Sequence, residues 1–371
     1  MTKNKIDFVD LGVINKKYKA KYFNLLKKIY DGSTFIKSKY NSILEKQICK
    51  IFKCKYSLCV NSGTDALIIA IKSLGLGNGD EILTTSNTWI SSAYAISLNN
   101  CKPVFVDISE KYLQIDESLL KKKLTKKTKA IMVTHLYGNP SKMDYICNFA
   151  KKYKLFIIED IAQSQLASYK NKFVGNFGDI ACMSFYPSKN IGAVGDGGAI
   201  ICNSKKLIHK ATNFANYGST NFKDKDHKIV GFNSRMDEFQ AAFLNLKIKD
   251  LKKNNHIRKK LAKIYDKKCD TLGIRRIHVM PQADSAYYVY PIIVKKRNLL
   301  MREFKKNDIS SQIHYEIPIH LQTAYKNTNK KDLKITEQVS KNILSLPFYP
   351  GIKKKQIERI FKVIQKNKVL I

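Results

Sequence analysis

Short apolar runs alternate with helical patterns along the first two-thirds of the chain. From residue 57 onward the two kinds of segment follow one another, separated by polar or glycine-rich turns. The predicted strands and helices are 57–60, 66–74, 81–84, 91–98, 103–107, 129–134, 143–152, 156–160, 178–185 and 198–202. This alternation predicts an α/β fold with a doubly wound, mixed but mostly parallel sheet flanked by helices.

The pattern differs at the two ends of the chain. Helical periodicity at 18–30 and 40–52 precedes the first strand. After residue 253 a lysine-rich helix at 255–268 leads into an extended run at 286–294 and further helices at 302–306 and 354–368. We therefore expect a large domain over residues 1–252 and a smaller α+β C-terminal domain over residues 253–371.

The large net positive charge does not by itself indicate a nucleic-acid-binding protein. The 371 residues carry a formal net charge of +37, but the lysines are spread along the chain and form no nucleic-acid-binding motif. We therefore expect no nucleic-acid partner, although the positive field would attract a phosphorylated or nucleotide-linked substrate.

Cysteine spacing and hydropathy point to a cytoplasmic protein. The eight cysteines form no C-x-x-C pair, so free thiols are expected, and neither disulfides nor a metal site. The first residues are polar, unlike a signal peptide, and no apolar run approaches the ~20 residues that span a bilayer.

Lys189 stands in an unusual context for a lysine. It follows Pro187 and Ser188 and precedes Gly192, Gly195, Gly197 and Gly198, whereas most other lysines occur in polar runs. A partly desolvated amine in such a loop suits a nucleophile that bonds to a carbonyl group. A loop lysine before a glycine-rich turn is the alternative.

Three further stretches favour the chemical interpretation. Gly63 and Thr64 lie between a predicted strand and a predicted helix, where free amides and a hydroxyl can bind a phosphate. Asp160 ends a predicted buried strand, at the sheet edge where α/β proteins bind ligands. Asn233 precedes an apolar helix. Lysine, strand-end aspartate and phosphate cradle together indicate a pyridoxal 5'-phosphate site.

The chain resembles the DegT/DnrJ/EryC1/StrS family of pyridoxal-phosphate sugar aminotransferases, which have fold type I. Six motifs carry the resemblance, in family order over nearly the whole chain. They are NSGTDAL at 61–67, HLYG at 135–138, EDIAQ at 159–163, SFYPSKNIGAVGDGGAI at 184–200, GFNSRMDEFQAA at 231–242 and IHYEIPIHLQ at 313–322.

The resemblance assigns the cofactor contacts. Lys189 would bond to the cofactor aldehyde and later carry a proton, and Asp160 would pair with the pyridine nitrogen, with N-capping of the next segment as the alternative. Gln163 would lie near the ring hydroxyl, and Trp89 would cover the ring unless it is a core tryptophan. Gly63, Thr64 and Ser184 would hold the phosphate.

The resemblance also implies a homodimer, because Asn233 would reach the cofactor of the partner subunit. Arg235 is the candidate for gripping the donor carboxylate, with a surface salt bridge as the alternative. His320 and Tyr315 are candidates for the sugar-nucleotide site, although His320 could equally be a packed structural residue.

Two residues that differ from the family pattern, and one that agrees with it, bear on the reaction. Gln165 and Leu166 replace the usual continuation of EDxAQ, in a segment expected near the substrate, so they leave the acceptor open. Relatives that dehydrate carry histidine at the lysine position, so Lys189 favours transamination.

The sequence thus predicts an enzyme that moves an amino group from L-glutamate to a keto group of a nucleotide-linked deoxysugar, through pyridoxamine 5'-phosphate, for surface-glycan synthesis. One alternative acceptor is a small phosphorylated or cyclitol ketone. A non-catalytic regulator that binds a ligand or nucleic acid is the other alternative.

Overall fold

The structure is a computed structural model that describes residues 5–219, 226–326, 328 and 332–371. The helices are α1 (Leu11–Asn15), α2 (Lys19–Asp31), α3 (Lys39–Phe52), α4 (Gly63–Ser73), α5 (Ser91–Leu98), α6 (Leu120–Lys123), α7 (Met143–Tyr153), α8 (Lys205–Ala215), α9 (Glu238–Lys247), α10 (Leu251–Leu272), α11 (Arg297–Lys306), α12 (Lys334–Asn342) and α13 (Lys354–Lys366). The strands are β1 (Tyr56–Val60), β2 (Glu81–Thr85), β3 (Lys102–Val106), β4 (Thr128–Thr134), β5 (Phe156–Asp160), β6 (Ser168–Tyr169), β7 (Lys172–Phe173), β8 (Ile180–Ser184), β9 (Gly198–Cys202), β10 (Arg275–Arg276), β11 (Ala283–Asp284), β12 (Tyr290–Ile293) and β13 (Ile343–Leu346).

The central element is a seven-stranded sheet in the order β1-β9-β8-β5-β4-β2-β3. The five strands β8, β5, β4, β2 and β3 are parallel, while β9 runs antiparallel to both of its neighbours. Helices pack on this sheet, with α4 against β8 and β9 and α7 against β5. The predicted α/β fold, with a mixed and mostly parallel sheet flanked by helices, is confirmed.

Burial explains why the central strands read as continuous apolar runs. Every residue of β2 and β9 is buried, as are all but one of β4. Strands covered by helices on both faces need no alternation of polar and apolar residues. The longest helix, α10, is rich in lysine, and within the described ranges no helix is long and apolar enough to cross a membrane.

The C-terminal part has its own small sheet and core. Strands β10, β12 and β13 form an antiparallel three-stranded sheet covered by α10, α11 and α13. Ile6, near the N-terminus, is buried in the same core and bridges Ile309. Helix α10 begins at Leu251, so it continues across the predicted boundary at 252/253, and that division stays a prediction.

Strand alternation decides which of two neighbouring carboxylates reaches the site. The register places Thr134, Asp160 and Cys182 side by side at the carboxyl ends of β4, β5 and β8. Glu159, one residue earlier, points to the opposite face of the sheet. There it accepts hydrogen bonds from the amides of Gly175, Phe177 and Gly178 and contacts the His135 ring.

Candidate active site

A cavity of about 860 Å³ opens at the carboxyl ends of the parallel strands. It is the size of a small-molecule site and lies where α/β sheets bind ligands. Eight of the predicted site residues line it: Gly63, Thr64, Trp89, Asp160, Gln163, Ser184, Lys189 and Tyr315. They come from positions 63 to 315 of the chain, so only the folded sheet brings them together.

One end of the cavity is a cradle at the N-terminus of α4. Ser62 caps this helix by accepting the amide of Asp65 at 3.0 Å, while Thr64 Oγ1 lies 2.8 Å from Ser91 Oγ. A Cβ on Gly63 would lie 2.7 Å from the Cβ of Ser184, so glycine is required for the close approach of α4 to β8. The helix end and the hydroxyls offer several donors to an anion.

Asp160 lies at the other end, buried at the end of β5. Its Oδ1 accepts the amide of Ala162 at 3.0 Å, and its Oδ2 accepts Ser92 Oγ at 3.3 Å. Burial raises the pKa of Asp160, and the positive charge of Lys189 partly offsets that rise. A buried carboxylate in this position would be stabilised by a cationic ring nitrogen.

Residues 185–197, which connect β8 and β9 and contain Lys189, form a tightly folded loop that we call the lysine loop. The amide of Lys189 donates to Tyr186 O at 2.8 Å, and the amide of Ala193 donates to Phe185 O at 2.7 Å. A Cβ on Gly192 would lie 2.1 Å from Pro187 O, so the loop closes only with glycine there. The glycine-rich sequence thus serves to bring Lys189 back over the sheet edge.

Tyr288 is the aromatic partner of the lysine. The Lys189 amine lies 4.5 Å from the centroid of the Tyr288 ring, and Tyr288 Oη lies 3.0 Å from Ser188 Oγ. Sequence reasoning missed Tyr288, because an extended run does not show which of its tyrosines faces the lysine.

Gln163 joins two tyrosines on the cavity wall. Its Oε1 accepts the amide of Tyr137 at 2.8 Å, and its Nε2 donates to Tyr315 Oη at 2.9 Å. Burial raises the pKa of Tyr315 well above its ordinary value, so its phenol stays protonated. Trp89 is 59% exposed, and its ring centroid is 5.6 Å from that of Tyr315, which places an aromatic face at the rim rather than in the core.

Three predicted residues lie away from the cavity of their own chain. Asn233 is exposed and bridges Asn216. Arg235 is half-buried, with its guanidinium 5.2 Å from the Tyr217 ring and its Nη1 3.4 Å from Asn216 Oδ1. The roles of Asn233 and Arg235 stay predictions, and that of Asn233 depends on a partner subunit.

His320, the third of these residues, is wholly buried, and both of its ring nitrogens are engaged. Its Nδ1 lies 2.6 Å from Ser86 Oγ, and its Nε2 lies 3.2 Å from Glu337 Oε1. Its backbone amide also donates to Ser86 Oγ at 3.0 Å. Because the Glu337 carboxylate can only accept, Nε2 donates to it, and in a neutral ring Nδ1 then accepts from the Ser86 hydroxyl. This geometry supports the alternative that His320 is a packed structural residue.

Gln165 and Leu166 are also buried, and neither of them lines the cavity. Gln165 instead supports the lysine loop: its Nε2 donates to Ser184 O at 2.8 Å, and its Oε1 accepts the amide of Ile191 at 2.9 Å. The departure from the family pattern therefore bears on the loop, and its effect on the acceptor stays a prediction.

The cavity wall also contains residues that the sequence did not indicate. His314 is buried beside the lysine, and its Nδ1 lies 2.9 Å from Ser345 Oγ. Burial, together with the charge of Lys189, lowers the pKa of His314 to about 4. Asp7, Phe8 and Val9 line the cavity from the N-terminal segment. His314 lies within the IHYEIPIHLQ motif, but the motif does not show which of its side chains faces the lysine, because these contacts arise from packing.

Comparison with known proteins agrees with this geometry. Residues 16–365 match the DegT/DnrJ/EryC1/StrS aminotransferase family. A pleiotropic regulatory protein of Geobacillus stearothermophilus is 35% identical over 97% of both chains. The dTDP-3-amino-3,6-dideoxy-alpha-D-galactopyranose transaminase of Aneurinibacillus thermoaerophilus is 36% identical over 97% of this chain and 99% of that protein.

A solved structure shows the same fold. The crystal structure of S. venezuelae DesV, in complex with a ketimine intermediate, superimposes with a TM-score of 0.95 at 30% identity, covering 99% of each chain. Its agreement with the present fold extends to both the large sheet and the C-terminal part. The chain belongs to the DegT/DnrJ/EryC1/StrS aminotransferase family.

Proposed function

We propose that the protein is a pyridoxal-phosphate-dependent aminotransferase that moves an amino group from L-glutamate to a keto group of a nucleotide-linked deoxysugar. The observation that carries the proposal is the placement of Lys189, Asp160 and the α4 cradle around one cavity. The transaminase names of related proteins support the sugar acceptor. The product would serve amino-sugar and surface-glycan synthesis.

The cavity fits pyridoxal phosphate at both ends. Gly63, Thr64 and Ser184 would hold the phosphate at the N-terminus of α4, where glycine at residue 63 allows the close approach to Ser184. Asp160 would hold the ring nitrogen, and Thr134 Oγ1 beside it is buried without a hydrogen-bond partner. When bound, this cofactor supplies a carbonyl that takes up the amino group and a ring that accepts the electrons of a broken C–H bond.

The residues of this chain position the reacting groups. Lys189 Nζ would move a proton between the substrate carbon that carries the amino group and the cofactor, in opposite directions in the donor and acceptor half-reactions, which is the role of a general base and acid. Asp160 would keep a positive charge on the ring nitrogen, and Gln163 fixes Tyr315 at the wall. Trp89 shields one face of the site from water.

A second copy of the chain would complete each site. Asn233 is exposed, while the adjacent Ser234 is buried and donates to Asp65 at 2.7 Å, so the segment is held firmly with Asn233 facing outward. Large apolar side chains are also exposed, among them Tyr30, Ile36 and Val230. We propose a homodimer in which Asn233 enters the partner's site and the partner covers these exposed side chains.

A substrate panel tests the acceptor. Keto sugars linked to dTDP, UDP or GDP are compared with the free keto sugar, a phosphorylated ketone and a cyclitol ketone, with glutamate as donor. We expect kcat/KM to fall at least about 100-fold when the nucleotide is removed, because remote binding energy is lost. Equal or better turnover of the small ketones would favour the alternative acceptor.

The intact site argues against a purely regulatory role. The relative from Geobacillus stearothermophilus carries a regulatory name, but a regulator would not need Lys189, Asp160 and Gln163 to converge on one cavity. A protein that binds DNA with a steep salt dependence and turns over no ketone in the panel would restore that interpretation.

A further inference from the structure

We propose that Tyr288 is a positioning residue whose ring face holds the Lys189 ammonium whenever the amine is not bonded to the cofactor. The inference deepens the proposed function and rests on it for the role of Lys189. It starts from one contact: the Lys189 amine lies 4.5 Å from the centroid of the Tyr288 ring, within the range of a cation–π interaction.

The ring is fixed in place by its own segment. The amide of Tyr288 donates to Tyr137 O at 3.0 Å, and its carbonyl accepts Nη1 of Arg258 at 3.1 Å. Arg258 is buried and also donates to Tyr287 O at 3.2 Å. A buried guanidinium that donates only to carbonyls in these contacts serves to hold the backbone of this segment.

The same segment grips the lysine loop on both sides of the lysine. Ser188 Oγ lies 3.0 Å from Tyr288 Oη, and Asn190 Nδ2 donates to Ala286 O at 2.9 Å. The residues before and after Lys189 are therefore tied to the segment that carries the ring. Because β12 begins at Tyr290, this grip also connects the lysine loop with the small C-terminal sheet.

The contact has a chemical consequence for a lysine that works as base and acid. Between bond-forming steps the free ammonium needs a defined position, since a mobile side chain would meet its proton acceptor only part of the time. A tyrosine face attracts the cation without sharing its proton, whereas a carboxylate would fix it in an ion pair. Tyr288 thus holds the amine near the cavity and leaves it able to release its proton.

The other ionisable groups around the amine must be accounted for in any pH experiment. Burial keeps His314 uncharged at neutral pH, and Asp160 is the buried carboxylate whose pKa responds to the charge of Lys189. The remaining ionisable groups along the same cavity are Asp7, Cys182, Tyr186, Asp196, Tyr288 and Tyr315. All of them except Tyr288 are unchanged in the variants below.

The test measures the Lys189 amine directly in the full-length protein without pyridoxal phosphate. Trace acetylation with acetic anhydride is followed by mass spectrometry of the Lys189 peptide across a pH series. Loss of the ring in Tyr288→Leu should move the midpoint of the labelling curve to lower pH by about half a unit or more. Easier access to the amine alone would change only the plateau. Tyr288→Phe keeps the ring, so its midpoint should stay at the wild-type value.

Tyr287→Leu is the matched control, because it removes a half-buried ring from the same segment where it packs on Phe348 instead of on Lys189. A midpoint in Tyr288→Leu equal to wild type, or an equal shift in Tyr287→Leu, would overturn the proposal. If Tyr288→Leu fails to fold, Tyr288→Met is judged by the same criterion. Failure of the proposed function would be seen separately, as absent cofactor binding or turnover in wild type.

Discussion

Gly63 and Ser184 approach so closely that a single added carbon would collide: a Cβ on Gly63 would lie 2.7 Å from the Cβ of Ser184. We expect Gly63→Ala to lower the affinity for pyridoxal phosphate about tenfold or more, because overpacking costs about 1–3 kcal/mol and widens the cradle. The measurement is a titration with pyridoxal phosphate followed by absorbance.

Gly77→Ala provides the control, because Gly77 lies beyond the far end of the same helix and a Cβ there would meet nothing within 4 Å. It should bind the cofactor as wild type does. Equal affinities of the two variants would show that the α4 cradle does not hold the phosphate.

Asp160→Asn should stabilise the protein in the absence of pyridoxal phosphate. Burial raises the pKa of Asp160, so its charged form is unfavourable in the fold, and this cost is absent below the ordinary pKa and grows as the pH rises above it. The thermal midpoint of the variant should exceed that of wild type at pH 8, and the difference should shrink as the pH falls towards 4.

The same variant should lose turnover at least about 100-fold, because a neutral amide would no longer place a negative charge opposite the ring nitrogen. An amide can keep the hydrogen bonds that the Asp160 side chain makes with Ala162 and Ser92, so the local geometry is preserved. A variant that is both less stable at pH 8 and fully active would contradict the assigned role.

His314→Gln tests how the free energy of unfolding depends on pH under acidic conditions. Since the pKa of His314 is lowered to about 4, the folded state stays neutral there while the unfolded state takes up a proton below about 6.5. Burial of neutral His314 should therefore cost wild type no stability above that value and up to about 3 kcal/mol as the pH falls to 4. The variant should lose less in urea unfolding.

Exposed His209 on α8 gives a control, since His209→Gln changes a solvent-facing side chain. Its unfolding curves should follow wild type at every pH. Identical pH dependence in the His314 and His209 variants would mean that burial of His314 contributes nothing to acid sensitivity.

Mixing two inactive variants tests the shared site. If Asn233 serves the partner's cavity, a heterodimer of Lys189→Ala and Asn233→Ala subunits contains one intact site. Random reassortment then restores about a quarter of wild-type activity, because half the dimers are mixed and each has one of two sites. Mixtures that stay inactive, with a confirmed dimer by light scattering, would place Asn233 at its own cavity or at none.

The pattern of apolar residues was sufficient to predict the strands of the main sheet. Strands β5 and β9 and helix α5 have the predicted bounds. For β9 the reason is that burial on both faces gives an uninterrupted apolar run. The reversed direction of β9 could not be predicted, since an apolar run has the same pattern in either direction. Strand β13 and helix α12 were missed altogether, because both are short and β13 follows α12 without a turn between them.

The motifs located the residues of the site but not the side chains that support them. Lys189 and Asp160 were recognisable, because their chemistry is rare in such contexts. Tyr288 was not, because three tyrosines share its run and only packing selects one. For His320, the sequence left open whether the ring contacts substrate or is packed in the core. The contacts of the ring with Ser86 and Glu337 support a packed structural role.

The most direct test is the absorbance spectrum of the purified protein, recorded before and after the addition of L-glutamate. We predict the band of lysine-bound pyridoxal phosphate, its replacement by that of pyridoxamine phosphate with glutamate, and no lysine-bound band in Lys189→Ala. A protein that stays colourless after incubation with pyridoxal phosphate, or whose bound band does not respond to glutamate, would contradict the assignment of Lys189 and of the amino donor.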